Sequence, residues 1–152
     1  MLVTVDDNDP PLTIAQTNIF TQVREGGTSP GTGGTPNAQD TFTVLLPRAP
    51  AAGTTVSVTL NPSSQITVTP SVLNFTSAST GVGAFSTAQT VTVTAVDDAN
   101  TEEPLHSGVV GFRLVSTDAY YNGLAAPPVM VQVTDNDLSL IHISEPTRPR
   151  LI

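Results

Sequence analysis

The sequence predicts an all-β domain folded as an antiparallel sandwich, and three observations lead to this prediction. Apolar and polar residues alternate in short runs, most regularly from Thr90 to Val96, as they do in a strand with one buried face. The apolar residues are mainly Val, Leu, Ile and Ala interleaved with Thr, a mixture typical of strands. The 152 residues also include 13 Pro and 11 Gly, which interrupt the chain too often for a helical bundle.

Turn signals separate the alternating runs. Gly, Thr and Pro dominate Arg24 to Pro36, Pro and Ala dominate Pro47 to Gly53, and Asn122-Gly123 is typical of a tight turn. Short strands at this spacing predict an immunoglobulin-like antiparallel β-sandwich of about seven strands. The predicted strands are Leu12 to Gln16 with Ile19 to Val23, Thr41 to Leu46, Thr55 to Leu60, Ile66 to Phe75 with a break at Pro70, Gln89 to Val96, Val109 to Ser116, and Val129 to Thr134.

The charge of the chain excludes some classes of partner. It has no Lys and five Arg against 13 Asp and Glu, for a net charge of −8. Nucleic-acid binding needs a basic patch that neutralises phosphates, so we expect no nucleic-acid partner. No apolar stretch approaches the length of a membrane span, so we expect no membrane insertion in this segment. Because the chain has no Cys, disulfide bonds cannot stabilise the fold, and packing or a hard ion bound by oxygen must do so.

A short sequence motif occurs twice in the chain. Val3 to Asp9 reads VTVDDND, and Val131 to Asp137 reads VQVTDND. We interpret residues 1–11 as the last strand and linker of a preceding repeat, and residues 12–137 as one complete repeat. The parent protein is then expected to be a tandem array in which neighbouring repeats are partners.

Residues 138–152 do not continue this pattern. Leu138 to Arg148 (LSLIHISEPTR) resembles one reading frame of a transposase-end adapter used in sequencing-library preparation. We interpret this segment as a non-native tail, and we assign no function to its residues, including His142. The natural protein is expected to continue beyond Asp137.

Four segments together resemble the Calx-beta-type repeats of large bacterial surface and adhesin-like proteins. The resemblance implies an immunoglobulin-like sandwich, export to the cell surface or secretion, tandem arrangement, and calcium at the edge of the domain. The segments are Glu25 to Thr28 (EGGT), Thr90 to Glu102 (TVTVTAVDDANTE), Thr117 to Gly123 (TDAYYNG), and Val131 to Asp137 (VQVTDND).

The resemblance also implies a set of calcium ligands. Calcium binds about six to eight oxygen atoms, so several loops must supply carboxylates. Two features depart from the family: the loop Asn61 to Gln65 has no acid where calcium-sensing members place an Asp, and Asn136 replaces an acid. The alternative is that the acids are solvated turn residues that keep sheet ends from pairing with neighbours. The positions that match the family's ligands are Glu25, Asp97, Asp98, Glu102, Asp135 and Asp137.

A second calcium ion is a hypothesis for the junction between repeats. Asp6, Asp7 and Asp9 precede Pro10-Pro11, and an ion bound by these three acids would stiffen the array. The alternative is that the paired Pro residues alone stiffen the linker, because they restrict the backbone.

The remaining residues favour a non-catalytic role. His106 is the only natural His, and with no Cys no set of nucleophile, base and orienting group can be assembled. We expect His106 to be a surface loop residue. One of Tyr120 and Tyr121 is expected to pack beneath the turn with its hydroxyl bonded to the backbone, as in a tyrosine corner. Two other functions stay open: a module that binds a cell-surface protein or glycan, and an accessory domain of a secreted hydrolase.

Overall fold

The structure, a computed structural model, describes residues 10–27 and 37–137, and these residues form nine β-strands in two sheets. This described part contains no helix, and therefore none long and apolar enough to cross a membrane. The all-β sandwich expected from the alternation is confirmed. The strands are β1 (Thr13–Gln16), β2 (Thr21–Arg24), β3 (Gln39–Leu45), β4 (Thr55–Pro62), β5 (Ile66–Thr69), β6 (Val72–Thr76), β7 (Gln89–Ala95), β8 (Leu105–Ser116) and β9 (Val129–Thr134).

The two sheets have the strand orders β1-β3-β7-β5 and β2-β9-β8-β4-β6. All neighbours are antiparallel except β2 and β9, which pair in parallel with Thr21 opposite Val131. The predicted antiparallel sandwich is confirmed, and this one parallel ladder is an exception that alternation could not reveal, because alternation identifies the buried face of a strand and not the direction of its neighbour. The predicted strand at Ile19 also begins too early, since Ile19 and Phe20 are 85% and 54% exposed and precede β2.

The segment around Pro70 divides between the sheets. A single strand with a break was predicted from Ile66 to Phe75. In the structure, β5 pairs with β7 in one sheet, and β6 pairs with β4 in the other. Pro70 belongs to neither strand, in keeping with its missing N–H, which cannot contribute to a ladder.

The core lies between the sheets and consists of the apolar residues of each alternating run. In β7, Val91 and Val93 are fully buried, and in β9 the buried residues are Val129, Val131 and Val133. Burying such a side chain contributes about 1.5–3 kcal/mol. This packing holds the register of the strands, and the register determines which residues meet at the ends of the sandwich.

The predicted tyrosine corner is confirmed, and Tyr121 is the residue that forms it. Its side chain is fully buried, and its hydroxyl donates a 2.6 Å hydrogen bond to the carbonyl oxygen of Arg48. Tyr120 packs edge-on against Tyr121 with ring centroids 4.9 Å apart, and the Arg48 guanidinium lies 4.3 Å from the Tyr120 ring centre. The turn predicted at Asn122-Gly123 is present, with Gly123 at a φ of 76°.

Candidate metal centre

Four chain segments meet at one end of the sandwich. Because β2 and β9 run in parallel, Arg24 lies beside Thr134, and the residues that follow, Glu25 and Asp135, leave the sheet together. The start of β8 is also there, since Leu105 pairs with Thr134. The segment after β7, which contains Asp97 and Asp98, reaches the same end from the other sheet. We call this the acidic end, defined by Glu25, Asp97, Asp98, Glu102, Asp135 and Asp137.

Glu25 is the most deeply buried acid of this end. Its side chain is 1% exposed, its backbone N–H is bonded to the carbonyl of Thr134 at 3.0 Å, and its Oε2 is buried with no hydrogen-bond partner among the described residues. Burial raises the pKa of Glu25, the charge of Asp135 raises it further, and nearby His106 opposes the rise. The main chain therefore fixes a carboxylate where its charged form is costly.

Asp135 is held by two backbone donors. Its Oδ1 accepts a 2.7 Å hydrogen bond from the Asp137 N–H, and its Oδ2 accepts a 2.8 Å bond from the Glu102 N–H. These two bonds lower the pKa of Asp135, in that order of importance. Asp135 is thus a stably ionised carboxylate that joins the loop before β8 to the chain after β9.

Asp137 faces the same space. Its Oδ2 is buried and, in the described part of the chain, has no hydrogen-bond partner. Burial raises the pKa of Asp137, and the charges of Asp135, Asp97 and Asp98 add to the rise. One carboxylate oxygen from each of Glu25, Asp135 and Asp137 lies within 4.8 Å of the other two. This spacing allows all three to contact one ion.

Asp97 and Asp98 take more peripheral positions. Asp97 is exposed, and its Oδ1 lies 3.4 Å from the Nδ2 of Asn136. Asp98 is half-buried, and its Oδ1 accepts a 2.7 Å bond from the N–H of Asn100. The structure therefore brings all six predicted residues to one end, with Asp97 and Asp98 acting on the buried acids through their charge.

Asn136, which departs from the family pattern, also faces this space. Its Oδ1 is buried and without a hydrogen-bond partner among the described residues, and an amide oxygen is an acceptable calcium ligand. Gly26 packs directly against it: at a φ of 58°, a Cβ on Gly26 would collide with Nδ2 of Asn136. Although Asn136 stands where the family has an acid, its amide oxygen can still serve as a ligand for a metal ion.

His106 is where the expectation from the sequence was wrong. It lies in β8 and not in a loop, and its side chain is 15% exposed. Its Nε2 is 3.0 Å from Oε2 of Glu102 and 3.7 Å from Oε1 of Glu25. The strand alternation extends further towards the N-terminus than predicted, and His106 shares one face of β8 with the buried residues Gly108 and Val110. This continued alternation is the feature of the sequence that could have placed His106 in the strand.

The loop that lacks an acid contributes an amide instead. The Nε2 of Gln65 donates a 2.7 Å hydrogen bond to Oε1 of Glu102. This contact leaves Oε2 of Glu102 directed towards His106, where it is buried without a hydrogen-bond partner among the described residues.

Unsatisfied polar atoms are concentrated at this end. Native proteins leave few buried polar atoms without partners, and each costs about 1–3 kcal/mol. Six such side-chain atoms occur in residues 10–27 and 37–137, and five belong to the acidic end or to residues in contact with it. Four of those five are oxygens, so the donor set fits a hard cation. The five are Glu25 Oε2, Glu102 Oε2, His106 Nε2, Asn136 Oδ1 and Asp137 Oδ2.

The proposed inter-repeat ligands Asp6, Asp7 and Asp9 lie outside the described residues, as do the adapter-like tail 138–152 and most of the segment 1–11. The second calcium site and the division of the chain into 1–11, 12–137 and 138–152 therefore stay predictions.

Comparison with known proteins identifies the fold. No known family profile and no curated protein matches the chain. The structure is similar to the periplasmic chaperone SfaE (TM-score 0.53, 9% identity, covering 85% of this chain and 59% of SfaE) and to the E. coli chaperone DraB (TM-score 0.52, 8% identity, 85% and 57%). WR4, a C. elegans MSP family member, aligns with a TM-score of 0.44 and 6% identity over 84% of this chain and 99% of WR4. The chain thus spans less than three fifths of either chaperone, and at these identities it shares with them the fold alone: an immunoglobulin-like β-sandwich.

Proposed function

We propose that this chain is a calcium-stabilised, non-catalytic repeat of the Calx-beta type, belonging to a tandem-array protein that is secreted or displayed at the cell surface. Its work is mechanical: it holds an adhesive region away from the surface and stiffens when calcium binds. The observation that carries the proposal is the buried Glu25: one of its carboxylate oxygens lies within 4.8 Å of those of Asp135 and Asp137, and its Oε2 has no hydrogen-bond partner among the described residues.

The chemistry of the donors favours calcium over other common cations. Calcium accepts about six to eight oxygen ligands in flexible geometry, whereas magnesium requires a near-octahedral shell and keeps several waters. Carboxylates of Glu25, Asp135 and Asp137 converge here, and the amide oxygen of Asn136 adds a neutral donor. Burial raises the pKa of Glu25 and Asp137 and the neighbouring acids raise it further, and a divalent ion would offset both effects.

Binding at this position would strengthen the fold mechanically. The donors come from the chain after β2 and the chain after β9, and Asp135 is also tied to the loop before β8 through the Glu102 N–H. An ion that contacts all of them cross-links these segments at one end of the sandwich. Calcium that binds only the folded state adds about 2.7 kcal/mol at a hundred times its dissociation constant. That is a large share of the roughly 5–15 kcal/mol typical of a domain.

Two features of the sequence support the tandem, extracellular setting. The motif VQVTDND at Val131 to Asp137 has a counterpart at Val3 to Asp9, as expected where repeats follow one another. The resemblance to Calx-beta repeats supports export. Neighbouring repeats are then the first partners of this chain, and a cell-surface protein or glycan is the ligand expected for the parent protein.

The test is thermal unfolding of the 152-residue chain in EDTA, in calcium and in magnesium. We expect calcium, and not magnesium, to raise the midpoint by several degrees, and Asp137→Asn to abolish the rise. Asp118→Asn is the matched control, because Asp118 lies beyond the opposite end of β8. This control is expected to lower stability equally with and without calcium, since the Asp118 carboxylate accepts a 2.6 Å bond from the Ala51 N–H. A midpoint that calcium leaves unchanged would overturn the proposal.

A further inference from the structure

We infer that Glu25, Glu102 and His106 form a separate subsite for a divalent transition metal of the zinc class, beside the calcium oxygens. One ligand atom from each of these three residues lies within 4.8 Å of the other two. The inference goes beyond the proposed calcium function and does not depend on it, because Asp135 and Asp137 are not members of this subsite. Glu25 is the residue that the two sites share.

The hydrogen bonding of His106 favours a metal at Nε2. Its Nδ1 lies 3.2 Å from the carbonyl oxygen of Glu103, which can only accept, so Nδ1 carries a hydrogen. Nε2 then faces the Oε2 of Glu102 at 3.0 Å. That contact has the length of a hydrogen bond without its direction, and both atoms are buried and unpartnered among the described residues. A cation placed to one side of the line between them satisfies both.

The distances suit a tetrahedral ion. Zinc bonds of about 2.0–2.1 Å to nitrogen and oxygen place neighbouring ligand atoms about 3.3 Å apart. The Nε2 of His106 is 3.0 Å from Glu102 and 3.7 Å from Glu25, which brackets this separation. The ligand oxygens of Glu25 and Glu102 lie within 4.8 Å of each other, so side-chain movement that draws them together would complete three bonds and leave a fourth position for water.

The surrounding contacts resemble those that orient metal ligands. Histidines that bind metals usually donate their other ring N–H to a carbonyl or carboxylate, as His106 does to Glu103. The carboxylate is oriented as well, because Gln65 donates a 2.7 Å bond to Oε1 of Glu102 and leaves Oε2 for the ion. Glu102 is the most exposed ligand at 26%, against 15% for His106 and 1% for Glu25, so an ion would enter beside Glu102.

The donor set determines the class of metal. Calcium and magnesium favour oxygen ligands, whereas imidazole is a preferred ligand of zinc and related transition metals. One imidazole nitrogen with two carboxylates therefore selects zinc-class ions. The same end of the sandwich thus offers an oxygen-only group and a mixed group, joined through Glu25.

The experiment is calorimetric titration of the 152-residue chain with zinc chloride alone, without calcium. We expect one site whose affinity falls at least tenfold in His106→Gln, because a ligand is removed. His142→Gln is the matched control, since His142 is the only other His of the chain, and it should leave the affinity unchanged. Equal zinc affinity in His106→Gln and the unsubstituted chain would overturn the inference.

Two further measurements separate the possible failures. Asp137→Asn should lose the calcium response and keep zinc binding, whereas His106→Gln should lose zinc binding and keep the calcium response. The two variants therefore test the two sites independently. If His106→Gln does not fold, the His142→Gln chain retains one imidazole, whose Nε2 is observed directly by ¹⁵N NMR. Zinc should shift that Nε2 resonance strongly. A resonance that zinc leaves in place would contradict the subsite.

Discussion

Tyr121 and Arg48 are 73 residues apart in the chain and are joined by a 2.6 Å hydrogen bond from the tyrosine hydroxyl to the arginine carbonyl. The bond ties the loop after β8 to the loop after β3, and thus one sheet to the other. The tyrosine ring is fully buried. Because β8 begins at the acidic end and Tyr121 follows its other end, the contact lies at the opposite end of the core. The two ends of the sandwich are therefore closed by different means: one by a neutral hydrogen bond, the other by carboxylates.

Tyr121→Phe is expected to lower the free energy of unfolding by about 1 kcal/mol, because it removes this bond and keeps the ring. Urea denaturation with and without calcium measures the loss. Tyr120→Phe is the control, since the Tyr120 ring retains its packing on Tyr121 and Arg48, and its effect should stay within about 0.5 kcal/mol. Equal losses in both variants would show that the hydroxyl of Tyr121 does not close this end.

Gly26→Ala should be more damaging than the same change at Gly53. Both glycines have positive φ, 58° and 76°, where a Cβ costs about 1–2 kcal/mol. A Cβ at Gly53 meets nothing within 4 Å, whereas at Gly26 it collides with Asn136. We expect Gly26→Ala to lower stability further and to weaken the calcium response, as measured by thermal unfolding in EDTA and in calcium. Identical effects at the two positions would mean that Asn136 moves away without consequence.

Most of the strands could be predicted from the sequence because burial follows the alternation closely. In the run Thr90 to Val96, Val91 and Val93 are fully buried, whereas the threonines that alternate with them are not. The relation between strands was less predictable. The parallel pairing of β2 with β9, and the separation of β5 from β6 into different sheets, depend on which edges the folded core leaves open. The alternation of apolar and polar residues along the chain does not indicate which edges are open.

The candidate site was predictable to the extent that acids follow strand ends. Glu25, Asp135 and Asp137 come directly after β2 and β9, and the resemblance to Calx-beta repeats grouped them. His106 was missed because β8 begins at Leu105, four residues before the predicted start. An isolated histidine next to Pro104 and Leu105 resembles a loop residue. The pairing of Leu105 with Thr134, which the sequence does not indicate, brings His106 beside the acids.

In EDTA, the protein is expected to become more stable as the pH falls from neutrality. Glu25 and Asp137 have pKa values raised above the ordinary 4.5 and 3.8, so the folded state binds their protons more readily than the unfolded state. Their contribution is full below the ordinary values and is lost as the pH rises through the raised ones. Thermal midpoints between roughly pH 7 and pH 5 measure the gain.

The opposite trend should follow in stronger acid. Asp118 and Asp135 have pKa values lowered from 3.8, so their contribution is present above that value and is lost as the pH falls through the lowered pKa. Stability without metal should therefore pass through a maximum on the acid side of neutrality. A midpoint that declines steadily from pH 7 downward would contradict the raised pKa values of Glu25 and Asp137.

Asp97→Asn should weaken calcium binding less than Asp137→Asn. Asp97 is exposed at 3.4 Å from Asn136 and contributes mainly charge, whereas the buried Oδ2 of Asp137 is a candidate ligand. We expect a several-fold loss of calcium affinity in Asp97→Asn that diminishes at high salt, because the charge of an exposed group is screened. Asp137→Asn should lose binding at any salt concentration. Titration calorimetry in low and high sodium chloride makes the comparison, and equal losses would place Asp97 among the ligands.

Glu25→Gln is expected to have opposite effects with and without calcium. The substitution keeps the shape of the side chain and removes a charge that is disfavoured by burial and by the neighbouring Asp135. In EDTA the thermal midpoint should therefore rise or stay level, although the attraction to His106 is lost. In saturating calcium the order should reverse, because a buried ligand charge has been removed from the ion. Glu103→Gln, at an exposed neighbouring position, should change neither midpoint appreciably. If Glu25→Gln lowers both midpoints by the same amount, Glu25 supports the fold through its packing, and its buried carboxylate does not serve a cation.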